Sequence, residues 1–193
     1  MKQRTKQRIG LIGVFALFFI PVVAALFLWA NPRLLGALGT TNYGVLLPEA
    51  RQITPPSLRS AAIVKGESPG FSEKWSMITL DSGSCSNACR ARLHALWTAH
   101  VATNKDIDRV ARVLLLPEDA QPVADFTNED GLAVFKVPLR WAQTLTGESD
   151  PFSPGRVYLV DPRGFVFMYY PDPLDARDLL KDLKRLLKIS KVG

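Results

Sequence analysis

Two cysteines, Cys85 and Cys89, are the only thiols in this 193-residue chain, and Ser86, Asn87 and Ala88 separate them. Two thiols that close together can exchange electrons as a dithiol/disulfide couple, or grip a soft metal ion. They stand between an apolar run, Trp75 to Leu80, and a stretch from about Ser86 to Thr103 that reads as a helix. Residues four apart at a helix opening have Cα atoms roughly 6 Å apart, inside the range a disulfide accepts. The first turn also presents free N–H groups and positive potential, which favour a thiolate.

This spacing assigns Cys85, the first and more exposed, to attack and Cys89 to resolve. The alternative is a structural staple. A loop this short constrains little chain, so its entropic contribution is small compared with that of a long loop. The redox or metal reading requires a surface approach to the sulfur atoms, and a pair sealed in the interior would undo it.

The pair needs an anchor, an address and a scaffold. Ile9 to Ala30 are 22 consecutive uncharged residues. As a helix they span roughly 33 Å, enough for a hydrocarbon core of about 30 Å. Pro21 is tolerable within a bilayer helix, and Trp29 sits where an interfacial aromatic belongs. Lys2, Arg4, Lys6 and Arg8 precede the span and no such cluster follows it, which places residues 1–8 in the cytoplasm and residues 31–193 outside. Leu28-Trp29-Ala30 is a poor cleavage site, so the span is read as an uncleaved transmembrane helix rather than a signal peptide. An oxidising outer compartment suits a disulfide. The net charge of +6 falls to +2 once residues 1–8 are set aside, and the remainder is scattered, which argues against a nucleic-acid partner.

Residues 31–70 are punctuated by Pro and Gly and read as a linker, although Val45, Leu46, Leu47, Ile63 and Val64 could form an outer strand or cover. Residues 71–193 then read as one domain. Trp75 to Leu80 is a strand ending at Asp81-Ser82-Gly83. The helix after it carries Leu93, Leu96, Trp97 and Val101 as its apolar stripe, with Arg90, Arg92 and Lys105 facing elsewhere. Val110 to Leu116 suits a strand covered on both faces. A polar excursion over 117–133 follows, then a strand from Ala133 to Val137 and a short helix from Leu139 to Leu145. Arg156–Val160 and Phe165–Tyr170 flank an Asp161-Pro162-Arg163-Gly164 turn, and an amphipathic helix over about 175–189 ends the chain. A parallel βαβ start followed by a hairpin and a helix is an α/β, thioredoxin-like plan, with the cysteines opening the first core helix.

An anchor, this fold plan, the Cys85-Ser86-Asn87-Ala88-Cys89 motif and the segment Tyr158-Leu159-Val160-Asp161-Pro162-Arg163-Gly164 together resemble the Sco/SenC family over about residues 70–190. That resemblance implies a membrane-anchored protein that helps assemble cytochrome c oxidase, delivering Cu(I) or reducing the cysteines of its copper site. It implies Cys85 and Cys89 as catalytic thiols and Cu(I) ligands, an oxidase subunit or another copper/thiol protein as partner, and the periplasmic face of the inner membrane as location.

One departure weighs on the copper role. The family's third ligand is a histidine shortly before the Tyr-Leu-Val-Asp strand, and here Ser153 stands about there. The only histidines, His94 and His100, lie on the helix that carries Cys89, turned away or about 16 Å along it. Pro154, just before a core strand, is a candidate for the proline that faces the cysteines in thioredoxins. Two thiolates still suit two-coordinate Cu(I). The expected function is therefore a thiol–disulfide reductant or transient Cu(I) carrier in oxidase assembly. Its rivals are a general extracytoplasmic thiol–disulfide oxidoreductase of the cytochrome c maturation type, and a redox-inactive assembly scaffold. A Cu(I) competition titration of residues 31–193 separates carrier from pure dithiol: affinity that vanishes in Cys85→Ser/Cys89→Ser marks a carrier, and none in the wild type leaves thiol exchange.

Overall fold

The computed structural model of the chain describes residues 2–31, 41–54, 62–65, 73–121, 131–153 and 155–190. Two compact units emerge, residues 1–41 and 42–193. The first holds α1 (Lys2–Ala30), whose stretch from Gly13 to Ala30 is long and apolar enough to cross a membrane and is not buried by protein. Asn31 closes it, donating from its backbone N to the Leu28 carbonyl and from Nδ2 to the Phe27 carbonyl.

The second unit is a seven-stranded mixed sheet. Its strands are β1 (Val45–Gln52), β2 (Ala62–Lys65), β3 (Trp75–Leu80), β4 (Val110–Pro117), β5 (Leu132–Val137), β6 (Val157–Val160) and β7 (Phe165–Tyr170). Its helices are α2 (Asn87–Val101), α3 (Leu139–Thr146) and α4 (Ala176–Ile189), with a 3-10 turn at Asn104–Arg109. The sheet order is β1-β7-β6-β3-β4-β5-β2, with β3, β4 and β5 parallel and the other pairings antiparallel.

Strand β3 is buried along its whole length because both faces of the sheet are covered. On one face Met77, Leu114, Leu116, Leu159 and Met168 pack with Leu93 and Leu96 of α2 and Leu179, Leu183 and Leu187 of α4. On the other, Ile78, Leu80, Val113, Leu115, Phe135 and Val160 pack with Ala142 and Leu145 of α3. The β6–β7 turn forms as expected: Gly164 (φ +86°) donates to the Asp161 carbonyl, and Asp161 Oδ1 accepts from Arg163 N and Phe165 N.

Within the stretch read as a linker, 31–70, the positions named as a possible outer strand do join the sheet: Val45, Leu46 and Leu47 lie in β1 and Ile63 and Val64 in β2, one at each edge. β1 pairs with β7 and β2 with β5, each across a register shift. Most of the 117–133 excursion, from 122 to 130, lies outside the described residues.

One carboxylate fastens the β1 edge. Asp182 of α4 is buried, and its Oδ2 accepts from Tyr43 N at 2.8 Å, Gly44 N at 2.9 Å and the Tyr170 hydroxyl at 2.9 Å. Burial and the adjacent Asp182 charge hold the Tyr170 phenol well above its usual range, so it stays a donor. Truncation would orphan three donors, at about 1–3 kcal/mol for each one that remains buried. Asp182→Ala in the full-length protein should lower the unfolding free energy by at least ~3 kcal/mol in urea titrations. Asp182→Asn, which keeps an acceptor oxygen, should lose clearly less.

Candidate functional site: the cysteine pair at the start of helix α2

Helix α2 begins at Asn87 because Ser86 caps it, extended at φ −61° and ψ 174°, its hydroxyl accepting from Cys89 N at 3.3 Å. Cys89 therefore lies in the first helical turn and Cys85 just outside it. The two are joined as a disulfide, with Cα atoms 5.1 Å apart. The chain reaches Cys85 through a tight turn. Gly83 has φ +105°, and a Cβ there would come within 2.9 Å of the Ala120 Cβ, so only glycine fits beneath the segment after β4. Cys85 itself sits at φ +33°, a conformation that side-chain-bearing residues rarely adopt.

Asp81, the first residue beyond β3, holds that turn. Its Oδ1 accepts from Gly83 N at 2.9 Å and Cys85 N at 3.3 Å. Its Oδ2 lies 3.5 Å from Nη2 of Arg92, one helical turn beyond Cys89. Arg92 Nε donates to Thr79 Oγ1 at 2.8 Å, and the Thr79 hydroxyl in turn donates to the Arg156 carbonyl at 3.1 Å. On the far side, Arg92 Nη1 stands 3.5 Å from Asp172 Oδ1, in the connection between β7 and α4. Gly155 (φ +61°), just ahead of β6, also closes on this group, since a Cβ there would lie 2.7 Å from Arg92 Nη1.

The expectation that Arg92 faces away from the packed side of α2 is overturned. The buried residues of α2 are Cys89, Arg92, Leu93, Leu96 and Ala99, whereas Trp97 and Val101 are 45% and 43% exposed. The three-residue steps from Cys89 to Arg92 and from Leu96 to Ala99 were the available signal, outweighed by the larger side chains of Trp97 and Val101. Asp81 was readable too, since Asp two residues before Gly is an ordinary side-chain-to-backbone turn.

The assignment of Cys85 as the more exposed thiol also needs correction. Cys85 is 2% exposed and Cys89 1%, and both belong to the core beneath α2. The open approach required by the sequence reading is absent from this closed, oxidised form. The residues around them in sequence, Ser82, Ser84, Ser86, Asn87 and Ala88, are all exposed. Direct attack on either sulfur thus requires that turn to move.

Neither histidine joins the pair. His94 is exposed and stacks on Trp97 at 5.8 Å, while the His100 Nε2 lies 2.9 Å from the Val110 carbonyl and 3.2 Å from that of Ile107. Ser153 is exposed, and Pro154 lies outside the described residues. Among the described residues no three His, Cys, Asp or Glu side chains gather as a metal site, and both Asp81 oxygens are engaged. The soft donors at hand are the two cysteine sulfurs, bonded to each other here and free to act as thiolates only after reduction.

Residues 75–190 match the family described as transmembrane-like, thioredoxin-like, C-terminal domain. The chain belongs to that family. Among solved structures, it resembles apo Sco1 of Thermus thermophilus (TM-score 0.55, 18% identity, 76% of this chain and 98% of that one). BsSco, a member of the Sco family of cytochrome c oxidase assembly proteins in which a disulfide switch has been identified, gives a TM-score of 0.57 at 13% identity over 76% and 99% of the two chains. Copper-bound yeast Sco1 gives 0.53 at 12% over 79% and 96%. No curated protein matches the sequence. The Sco/SenC resemblance read from the motifs thus extends to the fold, which is thioredoxin-like.

His100 offers a test of how this helix is set. Burial, aided by the Arg112 charge, lowers its pKa below the ordinary value near 6.5, against the opposing pull of the Val110 carbonyl. The unfolded chain then takes up the proton first, so stability is full above about pH 6.5 and declines as pH falls through the lower folded value. Thermal unfolding of the full-length protein between pH 7.5 and 5 should show that decline, roughly as linkage requires, and His100→Asn should flatten it.

Proposed function

We propose that this protein is a membrane-anchored thiol–disulfide reductant acting in the assembly of a respiratory cytochrome oxidase, with Cys85 and Cys89 as its working thiols. The observation that carries the reading is the disulfide itself, closed across the capped N-terminus of α2 in a thioredoxin-like fold. In the forward step the Cys85 thiolate attacks a disulfide of the partner, and one partner sulfur leaves as a thiolate that takes a proton from solvent. Cys89 then attacks the mixed disulfide, its Sγ–Sγ bond to Cys85 forms, and the second partner sulfur is released as a thiol. The partner gains two electrons and two protons; a dithiol donor must afterwards reduce the pair again. The helix N-terminus favours the attacking thiolate.

The α1 span, with basic residues ahead of it, supports a single-pass protein whose N-terminus is cytoplasmic and whose domain is periplasmic. The partner in this reading is an oxidase subunit or another copper/thiol protein. Transient Cu(I) carriage is the companion activity: the structural neighbours include a copper-bound Sco1, and two thiolates are donors that Cu(I) accepts.

Burial of both sulfurs favours a second reading, a structural disulfide. Chain entropy gives such a short loop only about 2 kcal/mol, which limits what a staple here would contribute.

Cys85→Ser/Cys89→Ser in the native host should sharply lower oxidase activity while the protein remains in the membrane. Unchanged oxidase activity with the protein present would eliminate the thiol role. If truncation of residues 71–193 then still abolished assembly, the scaffold reading would replace it.

A further inference from the structure

Arg92 ties together four segments around the cysteine turn: the β3 end, the β3–α2 turn, the approach to β6 and the β7–α4 connection. It pairs with Asp81, which holds Cys85 N, and with Asp172 after β7; it bonds Thr79 on β3 and lies against Gly155 before β6. It is 4% exposed, so its guanidinium sits in a low-dielectric setting where charges act strongly on one another. The proposed exchange does not explain why a cation is buried there.

We propose that Arg92 is a positioning residue of the cysteine pair, a fixed cation that offsets the Asp81 and Asp172 carboxylates and so favours the reduced, thiolate form of Cys85. The inference rests on the dithiol reading and deepens it. The Asp81 Oδ1 is 3.3 Å from Cys85 N, and a residue's own Sγ lies within about 4 Å of its N, so carboxylate and sulfur are at most roughly 7 Å apart. A thiolate at that distance is opposed by Asp81, and Asp172 competes for the guanidinium that offsets that charge. Arg92 is the positive charge paired with both. Without it the Asp81 carboxylate would act on the nascent thiolate with no guanidinium paired to it, and the balance would move toward the disulfide.

The test is the equilibrium of the full-length protein with glutathione at pH 7 in detergent, read by alkylation and mass. Reduction breaks the Cys85–Cys89 Sγ–Sγ bond. Two glutathione thiols supply two electrons and join as glutathione disulfide, and their protons pass to the cysteine sulfurs, or to solvent where Cys85 remains a thiolate.

Arg92→Met should shift the equilibrium toward the disulfide by about tenfold, a potential about 30 mV more negative. Arg92→Lys, which keeps the charge, should restore most of that shift. Asp172→Asn, at a partly exposed position that leaves the Cys85 N–H bond intact, should shift it the opposite way.

Opposed signs for Arg92→Met and Asp172→Asn support the proposal. A purely structural Arg92 would loosen the turn and weaken the disulfide, making the Arg92→Met potential less negative; that result, or no shift, overturns it. Should Arg92→Met fail to fold, Asp172→Asn and Arg92→Lys decide: an unmoved potential in Asp172→Asn, or a Lys variant shifted as far as tenfold, overturns it. A wild-type pair that never equilibrates with glutathione while folded would instead sink the dithiol reading itself.

Discussion

A single carboxylate decides how the central strand becomes the cysteine-bearing helix. Asp81 takes the N–H groups of Gly83 and Cys85 on one oxygen and the Arg92 guanidinium on the other. With those bonds in place the chain can turn at Gly83, hold Cys85 at positive φ and deliver Ser86 to the cap position. Removing one partner of such a buried pair commonly costs about 3–5 kcal/mol, because the other charge is left without compensation. The disulfide therefore rests on a polar frame set inside an otherwise apolar layer.

That frame reaches across the sheet. Thr79 comes from β3, Arg92 from α2, Asp172 from the connection after β7, and the Arg156 carbonyl from the approach to β6. Those segments meet at one end of the central strands, where open α/β sheets usually place their chemistry. At the far edge a second buried carboxylate, Asp182, performs a comparable task for β1, joining α4, β7 and the segment at Tyr43–Gly44. Both frames are built from residues distant in sequence, and both leave the apolar core to supply most of the stability.

Much of this was legible beforehand. Strand β3, helix α2, the Asp161–Gly164 turn and the leucine-striped α4 all follow from local periodicity and turn chemistry, and the cysteine pair stands out by count alone. What escaped depends on long-range pairing. Val45, Leu46 and Leu47 read only as a possible outer strand beside the linker reading; the run to Gln52 pairs with β7, and its exposed positions give no alternation to read. Arg92 looked like a solvent-facing charge because its three acceptors come from β3, the β3–α2 turn and the β7–α4 connection. The burial of Cys85 was hidden for the same reason: the segment that presses on Gly83 arrives from the end of β4.

The depth of the sulfurs turns the functional question into one of access. A working pair must open locally, by movement of the segment that carries the exposed Ser82, Ser84 and Ser86, without loss of the fold. The direct measurement is alkylation of Cys85 and Cys89 after dithiothreitol treatment of the native, full-length protein, followed by mass analysis, with near-ultraviolet circular dichroism recorded in parallel. The present account predicts that both thiols become labelled under native conditions and that the disulfide re-forms on oxidation with the spectrum preserved. Labelling that appears only once denaturant has unfolded the domain would contradict it and leave a structural crosslink.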